Sequence, residues 1–158
     1  MPAGDNERLF RNLIRERFGN ILQGKRVWRS EGSRRERVEI SVDESIETPN
    51  YRLLVEIDSG NYAKLIVGQY VLMNALNNDA GNRQDVFVVI HYNVDNGRPY
   101  DPQRTLKNLN LVNQSVLNNS GINFIVFNVP SFVEFLEGIE SIEELDQRIS
   151  EEIQRLNS

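Results

Sequence analysis

The chain has 158 residues, 39% of them hydrophobic and 26% charged, with a net charge of −5, one histidine and no cysteine. This length encloses one sizeable core, so a single domain over residues 1–158 is expected. Lack of cysteine excludes disulfides, a thiolate nucleophile and a cysteine-ligated zinc. The apolar runs, such as Val86 to Ile90, are strand-length and too short for a bilayer, and no charged-then-apolar leader opens the chain. The expected setting is therefore cytoplasmic, with no membrane partner.

In chain order, Asp5 is placed to cap a helix running to about Arg17, whose Leu9, Phe10, Leu13, Ile14 and Phe18 form an apolar stripe. Gly19 and Gly24 flank an irregular link. Arg26 to Ser30 reads as a short strand, followed by a turn at Glu31 to Ser33. Arg37 to Val42 alternates, with Val38, Ile40 and Val42 on one face and Glu39 and Ser41 on the other. An acidic loop from Asp43 to Pro49 follows. Tyr51 to Asp58 is a third strand, with Val55 and Ile57 facing one way and Leu54, Glu56 and Asp58 the other. Ser59 to Asn61 turns the chain into a helix from about Tyr62 to Leu76. After a polar loop, Asn77 to Gln84, comes a buried strand, Asp85 to Tyr92. A Gly/Pro-bearing loop leads to a helix from Pro102 to Leu117, a last strand from Gly121 to Val129, and a mostly helical segment from Ser131 to Leu156. Early strands follow one another directly and later ones alternate with helices. The order predicts a three-layer α/β fold, a central mixed β-sheet flanked by helices.

Charge is unevenly distributed. Residues 1–37 hold ten Lys/Arg against five acids, and the remainder holds eight against eighteen. A polyanion would dock on the N-terminal third, because phosphate binding follows local charge. Lys25, Arg26, Arg29, Arg34, Arg35 and Arg37, gathered around Trp28, are the candidate nucleic-acid contacts. Arg98 and Arg104, with the aromatic residues of the Tyr92–Tyr100 loop, extend that set. The competing reading of each is a solvated surface, and Trp28 serves equally well as a cover for the core edge.

Several chemistries drop out. The one histidine, His91, has no nucleophile elbow to serve and reads best as a hydrogen-bonded structural residue. No glycine-rich phosphate loop and no GxGxxG motif is present. Carboxylates remain. Glu56 and Asp58, two apart on a strand, leave the same sheet face. A neighbouring strand carrying Glu39 would bring a third carboxylate to the patch, since paired strands lie about 4.8 Å apart. Such a cluster repels itself unless a cation joins it, and Mg²⁺ or Mn²⁺ fits oxygen ligands. A solvated polar face is the alternative.

The run Val55 to Lys64 resembles the third core strand of the PD-(D/E)XK nuclease superfamily. It looks particularly like members that read Glu-x-Asp-Gly before a helix, the very-short-patch-repair-like endonucleases. On this resemblance Glu39 occupies the place of the aspartate in the Pro-Asp motif, with Val38 where the proline stands. Glu7 matches an acid in the first helix, and Gln69-Tyr70 resembles residues near the scissile phosphate. Asp58 sits where the usual lysine belongs, and Lys64 is placed to supply that ammonium. Tyr62 stands where the patch-repair-like pattern has histidine. The resemblance covers about residues 5–92 and implies a restriction-endonuclease-like core. It also implies metal-dependent cleavage of DNA, with RNA as a further substrate: Glu39, Glu56 and Asp58 hold Mg²⁺ or Mn²⁺, Lys64 polarises the attacking water, and Gln69 and Glu7 support the site. Double-strand cleavage by so small a domain implies a homodimer. A catalytically inactive domain of the same fold, binding nucleic acid or protein, is the other reading.

Overall fold

The computed structural model describes residues 4–77 and 81–158. Its elements are α1 (Asp5–Phe18), β1 (Arg26–Arg29), β2 (Glu39–Val42), β3 (Glu44–Glu47), β4 (Tyr51–Asp58), α2 (Ala63–Leu76), β5 (Gln84–His91), β6 (Val94–Asp95), β7 (Arg98–Pro99), α3 (Pro102–Ser115), β8 (Asn123–Asn128), α4 (Val129–Leu136) and α5 (Ile142–Leu156). The expected mixed central sheet is present, in the order β3-β4-β5-β8. β3 runs antiparallel to β4, whereas β4, β5 and β8 are mutually parallel. β1 and β2 form a separate antiparallel hairpin. β6 and β7 close around Asn96-Gly97, both at positive φ (51° and 75°), the geometry of the favoured two-residue hairpin turn.

Side-chain alternation builds the layers. Leu53, Val55 and Ile57 of β4 join Val86, Val88 and Ile90 of β5 beneath Phe10 and Ile14 of α1, Phe132 of α4 and Leu145 of α5. The intervening residues Leu54, Phe87 and Val89 face Ile66, Tyr70 and Met73 of α2 and Leu109 of α3. Each cluster excludes water from one sheet face, and apolar burial of this kind is the main favourable term in folding. Among the described residues no helix is long and apolar enough to cross a membrane.

Three local readings need correction. The segment expected to be an acidic loop from Asp43 to Pro49 contains β3, paired with β4 through Glu44↔Val55 and Ile46↔Leu53. Asp5 lies inside α1 rather than capping it; Gly4 holds the N-cap without a side-chain bond, and the Asp5 carboxylate pairs with Arg8. The long C-terminal helix is divided at Gly138, whose φ of 76° is a left-handed stop. Of the polar loop expected at Asn77 to Gln84, residues 78–80 lie outside the described residues.

The join between β2 and β3 sets up the site. Val42 packs in the α2-facing cluster and Ile46 in the α1-facing one, although four residues apart on a regular strand they would share a face. The chain therefore turns over at Asp43, the single residue between the strands, as at a β-bulge. One half of this bent strand serves the hairpin and the other serves the central sheet.

Candidate active site

Glu56, Asp58, Glu7, Gln69 and Tyr62 line one open cleft of about 690 Å³, with Glu39 also on its wall. The cleft sits at the carboxyl end of β4, where the in-register row Asp58↔His91↔Asn128 ends the parallel strands. Ligands of open α/β sheets bind at that end.

Glu56 is half-buried, and its Oε2 accepts a 2.8 Å hydrogen bond from Gln69 Nε2, which also donates to the Ser41 carbonyl at 2.7 Å. Gln69, on α2, thus bridges the β2 backbone and Glu56. Burial pushes the Glu56 carboxyl up to about 8. Asp43 and Asp58 add to the rise, while bonds from Gln69 and the Asp43 N–H oppose it. Asp43 is tied to the same strand a second time, its Oδ2 accepting from the Ile57 N–H at 2.8 Å. Burial, and then Glu7, also push the Asp43 carboxyl up, against the pull of the Ile57 N–H, Arg11 and Lys25.

Asp58 is 5% exposed. Its Oδ2 lies 2.8 Å from His91 Nδ1, and its Oδ1 accepts from the Gly60 N–H at 3.3 Å. His91 Nε2 lies 2.9 Å from the Thr105 hydroxyl, and the ring stacks on Tyr100 at 4.1 Å between centroids. A buried imidazole with both nitrogens partnered and a ring on its face is held in one orientation. The histidine is the hydrogen-bonded residue read from sequence, and its partner is a carboxylate of the cleft. Glu7, on α1, turns a carboxylate oxygen, Oε2, into a buried position without a hydrogen-bond partner.

The other candidates separate from this group. Glu39 is exposed and paired with Arg29 at 2.8 Å and Arg37 at 3.8 Å. Its strand is bonded to β1, not to β4, so it reaches only the cleft wall while Asp43 stands beside Glu56. Sequence reasoning missed Asp43 because it was placed in a loop. The available signal was the apolar alternation through Val38, Ile40 and Val42, which resumes at Ile46. Lys64 is exposed and, among the described residues, does not line the cleft. Lys25 is exposed too, yet its charge reaches Asp43. Arg29, Arg34 and Arg37 line a second cleft of about 470 Å³, also bounded by Glu39. Arg26 lies 5.6 Å from the centre of the Trp28 ring, and Trp28 is buried against the α2-facing core. Arg35 and Arg98 are exposed, and Arg104 reaches Asn61 at 3.5 Å, beside the loop that floors the first cleft.

Among the described residues no three carboxylate or imidazole groups are gathered as a metal-binding group. The donors of the cleft are still those a hard cation uses, carboxylate oxygens from Glu7, Glu56 and Asp58. The partnerless Glu7 oxygen is a buried acceptor that a positive charge in the cleft could meet. The donor types suit such an ion, although among the described residues they are not gathered as a ready-made set. No protein-family model, curated protein or solved structure matches the chain.

Proposed function

We propose that this protein hydrolyses phosphodiester bonds in nucleic acid with the help of a divalent cation, Mg²⁺ or Mn²⁺, held by Glu56 and Asp58. Glu39, exposed and paired with Arg29 and Arg37, is left out of that set, and the acid beside Glu56 is Asp43. One observation carries the reading: acids on α1 and β4 open into one cleft, with Glu56 held so that its carboxyl ionises only near pH 8. A bound divalent ion acidifies a water molecule and neutralises charge on phosphate oxygens. The chain's own residues provide the frame. Gln69 fixes Glu56 from the helix side, the Asp43 backbone N–H fixes it from the strand side, and His91 aims Asp58. Second-shell bonds of this kind orient ligands. Among the described residues no lysine lines the cleft, so the water-polarising role that the sequence reading gave to Lys64 passes to none. The similarity to PD-(D/E)XK nucleases points the same way. DNA is the first substrate to test, with RNA beside it; cutting both strands of a duplex would call for a homodimer.

A second reading, a non-cleaving module that binds nucleic acid or protein, draws support from Asp58, whose carboxylate is already engaged by His91 and Gly60. Incubation of DNA with Mn²⁺ separates the two. The hydrolytic reading expects cleavage by wild type, reduced at least 100-fold in Glu56→Gln. A folded wild type that cuts nothing with Mg²⁺ or Mn²⁺ leaves the binding module.

A further inference from the structure

The cleft is not lined by acids alone. Tyr62 and Leu65, at the start of α2, are 57% and 67% exposed on its wall. A large aromatic residue and a large aliphatic one, both open to water beside a charged centre, cost hydration free energy unless a ligand covers them. The tyrosine ring is also held in place. It lies so close over Gly60 that a Cβ added there would overlap three of its ring carbons. Glycine at position 60 thus leaves room for the ring, which stays more than half exposed.

On the other side of Glu39, Arg29, Arg34 and Arg37 line the adjoining cleft, and Arg34 forms no ion pair among the described residues. Glu39 bounds both clefts, so one track runs from an apolar stacking face, past the carboxylates, to a cluster of guanidinium groups. A paired duplex hides its base faces in its own stack, so it could use the arginines but not the tyrosine. A strand with unpaired bases uses both, stacking a base on the ring and laying phosphates along the arginines.

We infer that the preferred ligand of this track is a single-stranded nucleic acid, with a base stacked on Tyr62 and its backbone on Arg29, Arg34 and Arg37. This rests on the phosphodiesterase reading only for what happens to the strand after binding. It also removes the need for a second copy, since one unpaired strand has no two-fold symmetry to match.

The test is fluorescence anisotropy in EDTA, where no metal-dependent cleavage can occur. The probes are a labelled DNA strand of about twelve nucleotides, the same strand as RNA, and the DNA strand annealed to its complement. The expected result is at least about tenfold tighter binding of a single strand than of the duplex. Tyr62→Ala is expected to remove most of that preference, weakening single-strand binding about tenfold with duplex binding unchanged, while Tyr62→Phe retains it. Arg34→Ala should weaken every probe and flatten the salt dependence. The comparison of DNA with RNA identifies which strand is preferred. Equal affinity for the duplex, or single-strand affinity untouched by Tyr62→Ala, overturns the inference. Single strands bound but never cut in Mn²⁺ would remove the hydrolytic reading and leave this one standing. Duplex cut as readily as single strands would do the reverse.

Discussion

The two faces of the central sheet are made from the same three parallel strands and differ in how they end. Toward α1, α4 and α5, every inward residue of β4 from Leu53 to Ile57, and of β5 from Val86 to Ile90, is apolar. Toward α2 and α3 the rows run from the paired Arg52 and Asp85 through Leu54 beside Phe87 to Glu56 beside Val89 and Asp58 beside His91. Strand alternation lets one segment serve both ends at once, because odd and even positions answer to different neighbours. The first face does nothing but exclude water. The second is apolar only in its middle rows: the Arg52–Asp85 ion pair closes its start, and its acids and histidine stand at the carboxyl ends, where helix cover gives way to the cleft.

Three substitutions press on that contrast. The largest effect is expected on the apolar face. Ile90 is fully buried, and Ile90→Ala should lower unfolding free energy by about 4 kcal/mol at any pH, read from the denaturant midpoint. A loss below about 1 kcal/mol would mean that this face is not the tightly packed one.

Next comes Glu56→Gln, whose effect depends on pH. The folded carboxyl is raised from the ordinary 4.5 to about 8, so the folded state keeps a proton that the unfolded chain has released. The associated stability is fully present below about pH 4.5, falls as pH rises to about 8, and is gone above it. The amide cannot ionise. The variant should therefore match wild type near pH 4.5 and exceed it near pH 9, in metal-free buffer, by on the order of 3 kcal/mol. A difference independent of pH would show that Glu56 is not held in its neutral form.

Smallest is Thr105→Val, which keeps shape and removes the hydroxyl facing His91 Nε2. The expected cost is about 1 kcal/mol, from one buried nitrogen left unpartnered. A neutral result would show that the His91 orientation is set by Asp58 and Tyr100 alone.

Much of this architecture was legible in the residues. Tyr51 to Asp58 has the bounds expected from its pattern, and the face shared by Leu54, Glu56 and Asp58 follows from period-two alternation. Gln69 was read, through its resemblance to family residues, as lying near a scissile phosphate and supporting the site; the bond it donates to Glu56 joins α2 to β4 and is carried by no local pattern. Glu39 was not placed correctly, because alternation says which face a residue takes and nothing about which strand lies alongside. Its strand pairs with β1. Asp43 was hidden for the opposite reason. A polar residue that interrupts an apolar rhythm reads as a loop, whereas here it is a one-residue reversal whose side chain bonds the neighbouring strand. Lys64 follows the motif closely in sequence, yet at the second position of α2 it points to solvent. The Asp58–His91 bond needed β4 and β5 in parallel register, a long-range fact carried by no local motif.

The reversal at Asp43 has a consequence for how this chain tolerates changes in length. Adding or deleting one residue between Val42 and Glu44 would exchange every side chain of β3 between the two faces, carrying Ile46 out of its core. The hairpin tip, residues 30–38, is mostly exposed and sets the register of nothing beyond itself, so insertions there cost little more than loop-closure entropy. As far as folding is concerned, changes in length have room at the tip, where Arg34 and Arg37 answer to a ligand instead, and none at the kink.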